Sequence, residues 1–175
     1  VLTEKGKIIR PAWVEIETAA IRENIRRIKA LVGPRRKVMA VVKAEAYGHG
    51  AYQVAQLASA EGIEWFGVAM PEEGIALRQA GVGGNILVFA PFLPEQAATF
   101  CAYDLVATIT SWEGAAALSR EAILRRQKAR VHIKVDTGMG RIGFLAAEAG
   151  AAIERILSLP GLTVEGIYSH FATAD

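Results

Sequence analysis

The sequence predicts an α/β fold, a TIM-type (β/α)8 barrel that stops after about six strands. Three features predict it. Short β-rich runs alternate with longer helical runs along the chain. One of the β-rich runs is apolar on one face only, and three of them end on polar groups.

The elements follow in order. Residues 13–16 form a first β-rich run, and Thr18 is placed to cap a helix over 18–31. In that helix Ile21, Ile25, Ile28 and Leu31 fall three and four apart on one face, and Gly33-Pro34 stops it. A strand over 38–42 precedes a helix over 51–61, and a strand over 65–69 follows. Pro71-Glu72-Glu73 opens a helix over 71–80, with proline in the first turn and acids at the positive end of the dipole. Strand 86–90, helix 94–102 and strand 105–109 come next. Ser111 caps a helix over 111–126, strand 131–135 follows, and a helix over 146–157 ends at Pro160-Gly161 before strand 164–169.

Repetition of this kind implies parallel strands covered by helices, either an open doubly wound sheet or a barrel. The run from Val131 to Asp136 separates the two. Val131, Ile133 and Val135 point one way, and His132, Lys134 and Asp136 point the other. An internal strand of an open parallel sheet is apolar on both faces, whereas a barrel interior carries polar groups near its C-terminal mouth. Lys43, Lys134, Asp136 and His170 all stand at strand ends. With 13–16 outside the barrel, six strands remain, and closure takes eight strands and about 250 residues. Residues 1–175 are therefore expected to be an incomplete N-terminal barrel domain, with the last strands and a further C-terminal domain absent.

Composition narrows the function classes. Apolar residues make up 52% of the chain and the net charge is +2, so neither disorder nor a global pull towards nucleic acid is expected. The single cysteine, Cys101, allows no internal disulfide and fits a reduced, cytoplasmic protein. No apolar run reaches the ~20 residues of a membrane helix.

Three stretches carry chemistry. In Val41-Val42-Lys43-Ala44-Glu45-Ala46-Tyr47-Gly48-His49-Gly50, a lysine at the end of a buried strand is poorly solvated, which suits an amine to imine formation. Tyr47 adds a hydroxyl, and the glycines let backbone approach a bound group. In Lys134-Val135-Asp136-Thr137-Gly138-Met139-Gly140-Arg141-Ile142-Gly143, the spacing matches G-x-G-x-x-G, the dinucleotide fingerprint. The half-polar strand before it, the arginine inside it and its late position favour a glycine-permitted turn that presents Arg141 to an anion. The third stretch, Gly166 to Asp175, places His170 at a strand end.

Together these stretches resemble the alanine racemase family of pyridoxal 5′-phosphate (PLP) enzymes, over nearly the whole chain from Arg10 and about half of a family member. The resemblance implies that Lys43 holds PLP as an imine and is the catalytic base on one face of the substrate. It also implies that Tyr47 bonds the cofactor phosphate, Arg141 meets the phenolic oxygen, and His170 packs near the pyridine ring. Lys134 would support Arg141, in carbamylated form. Glu45 stands where the family has Asp or Asn, a departure that matters if its side chain caps the following turn. The implied substrates are L- and D-alanine, the product serves peptidoglycan, and the partner is a second copy that completes the site at a dimer interface. No nucleic acid, membrane or metal is implied. The opposite-face base lies outside this chain, so the chain alone is expected to be inactive. A single-domain PLP-binding regulatory protein, a decarboxylase of the same fold type and a broad-specificity racemase are the alternatives.

Overall fold

The computed structural model describes residues 13–173. Among them, six strands form one parallel sheet: β1 (Met39–Val41), β2 (Trp65–Val68), β3 (Asn85–Val88), β4 (Leu105–Ile109), β5 (Ala129–Asp136) and β7 (Leu162–Tyr168). Each lies beside the next in this order, and the two-residue β6 (Phe144–Leu145) pairs with the end of β5. The edges are β1 and β7 among the described residues. Helices Ala51–Ala60, Pro71–Gln79, Ala97–Ala102, Trp112–Leu124 and Ala149–Leu157 connect the strands. This is the partial (β/α) barrel expected, with sheet order following chain order.

The alternation read in β5 decides what each face does. Val131 and Ile133 are fully buried in the apolar cluster that includes Phe100, Leu118 and Ile156. Burying one such side chain contributes about 1.5–3 kcal/mol. His132 and Lys134 face the other way, where the His132 ring packs at a tilt against Trp65 with ring centroids 5.0 Å apart. The helices cover only one face of the sheet, so the other is free to be polar.

Four local expectations are corrected. Residues 13–17 form no strand; no described strand pairs with them, and an unpaired segment has no ladder to hold it extended. The first helix is Thr18–Val32, and its cap is Glu17, whose carboxylate accepts the Ala19 N–H at 3.0 Å, instead of Thr18. Its apolar stripe is largely uncovered: Ile25 packs on the core, but Leu31 is 87% exposed. Arg22 and Arg26 instead tie the helix to Glu61 at 3.1 and 2.8 Å. The Arg26 hydrogen bond, helped by Arg22, holds the Glu61 carboxyl below its usual range against the opposing effect of burial. The last helix begins only at Ala149, because the chain first forms β6. Helix 94–102 opens with a 3-10 turn at Pro94–Gln96.

Arg78 ties the loops at the N-terminal ends of β3 and β4. Its guanidinium donates to the carbonyls of Tyr103, Val82, Gly84 and Asp104 at 2.9–3.1 Å. Arg78→Ala leaves partly buried carbonyls without a donor. It is expected to lower the urea-unfolding free energy by about 2 kcal/mol; a change under 0.5 kcal/mol would mean that water replaces the side chain at no cost.

Candidate active site

The site forms at the C-terminal ends of the strands, and local backbone chemistry positions each side chain. β1 ends at Val41, and the Val42 N–H still bonds Gly67 O at 2.9 Å. Immediately after Lys43 the chain enters a left-handed helical turn: Ala44, Glu45, Ala46 and Tyr47 have φ of +50°, +56°, +49° and +55°. L-residues resist this by about 1–2 kcal/mol each, so the surroundings must enforce it. Within the turn Ala46 N–H bonds Val42 O at 3.0 Å, and Gly50 N–H bonds Glu45 O at 2.9 Å. The Glu45 carboxylate accepts the Ala51 N–H at 3.2 Å, capping the next helix. The glutamate at this position therefore has a defined job, and its longer side chain reaches it.

β5 supplies the second wall. Lys134 is 4% exposed, and its amine lies 5.0 Å from the Tyr168 ring centroid. Burial, and then the Arg141 charge, push the Lys134 ammonium below its usual range, while Asp136 works the other way. At the end of β5 the Asp136 carboxylate accepts the N–H groups of Gly138 and Gly140 at 2.9 and 3.1 Å. These bonds hold the Asp136 carboxyl below the usual aspartate range. They also dispose of the dinucleotide reading: the amides that would cradle a phosphate are taken by a side chain, and no helix starts until Ala149. The turn presents Arg141 instead.

β7 supplies the third wall. The Thr108 hydroxyl contacts Val88 O at 2.5 Å and the Tyr168 hydroxyl at 2.8 Å. A carbonyl can only accept, so Thr108 spends its proton on Val88, and Tyr168 must donate to Thr108. The chain of bonds links β7, β4 and β3 across the interior, and burial pushes the Tyr168 phenol up. Ser169 and His170 follow at the rim, where the Ser169 hydroxyl contacts that of Thr137.

These walls enclose a cleft of about 390 Å³ lined by Val41, Lys43, Tyr47, Phe89, Lys134, Arg141, Ile142, Tyr168, Ser169 and His170. All five residues singled out in the sequence, Lys43, Tyr47, Lys134, Arg141 and His170, line it together. Lys43 and Tyr47 are neighbours, the amine 5.9 Å from the ring centroid. The sequence reading did not single out Phe89, Ile142, Ser169 or Tyr168. Tyr168 did have a signal: it lies two residues before His170, hence on the same face of an extended chain. Among the described residues no carboxylate lines the cleft, which holds two amines, a guanidinium, two phenols, a hydroxyl and an imidazole between apolar walls. That donor set suits a flat, anionic aromatic group with a carbonyl to condense on an amine. Pyridoxal 5′-phosphate is such a group, and the residues present fit it.

Comparison with known proteins agrees. The alanine racemase of Desulforamulus reducens is 47% identical over 166 residues, which is 94% of this chain and 45% of that protein. The alanine racemase structure from Clostridium difficile 630 superposes with a TM-score of 0.91 at 38% identity, over 96% of this chain and 44% of its own. A histidine racemase from Leuconostoc mesenteroides superposes with a TM-score of 0.82 at 30% identity, covering 90% of this chain and 42% of its own. The chain thus spans less than half the length of these relatives. Residues 16–175 match the family model described as alanine racemase, N-terminal domain. With that match, the strand order and the cleft, the chain belongs to the PLP-dependent alanine racemase family, over the family's N-terminal domain.

Proposed function

We propose that this chain is the PLP-bearing barrel portion of an alanine racemase, with the remaining strands, a C-terminal β domain and the opposite-face base contributed by sequence outside it. The whole protein interconverts L- and D-alanine in the cytoplasm, supplies D-alanine for peptidoglycan, and acts as a homodimer whose site lies at the interface. The observation that carries this reading is the cleft: Lys43, Lys134 and Arg141 gathered at the C-terminal mouth with Tyr47, Tyr168 and His170.

When bound, PLP supplies an electron sink for the charge left at the substrate Cα after deprotonation. Lys43 holds the cofactor and moves the Cα proton on its own face of the cleft. The Tyr47 hydroxyl would hold the phosphate, the Arg141 guanidinium would meet the phenolic oxygen, and the His170 imidazole would pack near the ring. The buried Lys134 and the exposed Arg141 are neighbouring cations whose charges repel. Carbamylation of the Lys134 amine by carbon dioxide, with release of a proton, replaces that repulsion by an ion pair orienting Arg141. The lowered Lys134 ammonium supports this, because a larger share of the amine is neutral and nucleophilic.

A second reading, racemisation of another amino acid, is favoured by the likeness to the histidine racemase, which shares this scaffold at 30% identity. The test is the intact protein loaded with PLP in deuterated water. With L-alanine, equal L and D forms and deuterium at Cα are expected. Exchange confined to a bulkier amino acid would transfer the assignment to the second reading, and no exchange with any amino acid would end both. The chain 1–175 alone is expected to be inactive, since racemisation needs proton transfer on both faces.

A further inference from the structure

Glu73 lies in the first turn of the helix Pro71–Gln79, and its carboxylate has two jobs. Oε2 accepts the N–H groups of Ala69 and Met70 at 2.6 and 3.2 Å, an ordinary cap of its own helix. Oε1 leaves that helix altogether and accepts the Ala44 N–H at 2.7 Å. Ala44 is the first residue of the left-handed turn, and its amide shares a peptide plane with the Lys43 carbonyl. The bonds within the turn begin two residues later, from the Ala46 N–H to Val42 O. The amide next to Lys43 is thus held from outside, by a charged acceptor from the first turn of the helix that follows β2.

We propose that Glu73 is a positioning residue for Lys43. Its carboxylate clamps the peptide between Lys43 and Ala44, keeps the left-handed turn wound and so sets the aim of the Lys43 amine into the cleft. One side chain thereby joins the loops after β1 and β2, and the first turn of one helix fixes the lysine of another unit. The inference rests on the reading of Lys43 as the cofactor-bearing lysine, while the clamp itself can be measured without any cofactor.

The test uses the intact protein and the variants Glu73→Gln and Glu73→Ala, with Glu72→Ala, an exposed neighbour on the same helix, as control. Amide hydrogen exchange at Ala44 is read without PLP. The rate at which Lys43 traps PLP on borohydride reduction, located by peptide mapping, is read with it. Glu73→Gln keeps the side-chain shape and one acceptor for the helix cap, so it decides the matter if Glu73→Ala does not fold. In Glu73→Gln the Ala44 amide is expected to exchange about tenfold faster and Lys43 trapping to slow about tenfold, the size of one charge-assisted hydrogen bond. The melting temperature stays within a few degrees of the parent. Faster exchange at Ala69 and Met70 with Ala44 and Lys43 unmoved would reduce Glu73 to a helix cap and overturn the proposal. Absence of Lys43 labelling in the parent protein would instead refute the cofactor reading, with Ala44 exchange still reporting on the clamp.

Discussion

Lys43→Ala is expected to abolish covalent attachment of PLP to this chain and to lower racemisation by the intact protein about 10³-fold. That loss corresponds to about 4 kcal/mol at the transition state. Two contributions vanish together, the amine that anchors the cofactor and the base on one face of the substrate. Stability should hardly move, because Lys43 lies at the mouth of the cleft and makes no ion pair among the described residues. The measurement is incubation with PLP, borohydride reduction and mapping of the added mass. The rival amine is Lys134, which lines the same cleft and is the more deeply buried of the two. Its ammonium is held below the usual range, so intrinsic reactivity favours it. Geometry favours Lys43, since Lys134 is packed under the Tyr168 ring. Label that persists on Lys134 in Lys43→Ala, with activity retained, would move the cofactor-bearing role to Lys134 and sink the Lys43 assignment.

The barrel was legible in the sequence because its signals are local. Strand β4 occupies Leu105–Ile109 as expected, and the helix Pro71–Gln79 starts at its proline. The split faces of β5 separated barrel from open sheet, and the buried Val131 and Ile133 bear that out. What escaped depended on contacts distant in sequence. Left-handed backbone is signalled by glycine or asparagine, and Ala44-Glu45-Ala46-Tyr47 offers neither. The turn is enforced from Glu73, 29 residues away. The Tyr168–Thr108 bond joins residues 60 apart, which no periodicity announces. Residues 13–16 show the converse failure: their composition is right for a strand, but a strand needs a partner, and no described segment supplies one.

Gly143→Ala is expected to cost about 2–4 kcal/mol in urea unfolding and to weaken cofactor binding at the same time. Gly143 has φ of +121°, a backbone conformation that L side chains rarely adopt. A Cβ there would meet Asp136 N at 2.8 Å and Lys134 O at 2.9 Å, both backbone atoms of β5 that cannot rotate aside. Relief requires moving β6 away from β5, which breaks the register of Val135 with Phe144. Arg141 lies two residues before Gly143 on the displaced segment and would leave the wall it shares with Lys134. Gly140→Ala is the control. Its φ is +69°, where an added Cβ meets nothing within 4 Å, so it incurs only the left-handed backbone cost of about 1 kcal/mol. The contrast separates conformational strain from steric exclusion. If the two variants lose equal stability and bind PLP alike, close packing at Gly143 does not aim Arg141, and the Asp136 bonds to Gly138 and Gly140 suffice to do so. If Gly143→Ala alone releases the cofactor, the last glycine of the G-x-G-x-x-G spacing serves to dock a turn on its own strand. That is a structural use of the same letters that elsewhere make room for a pyrophosphate.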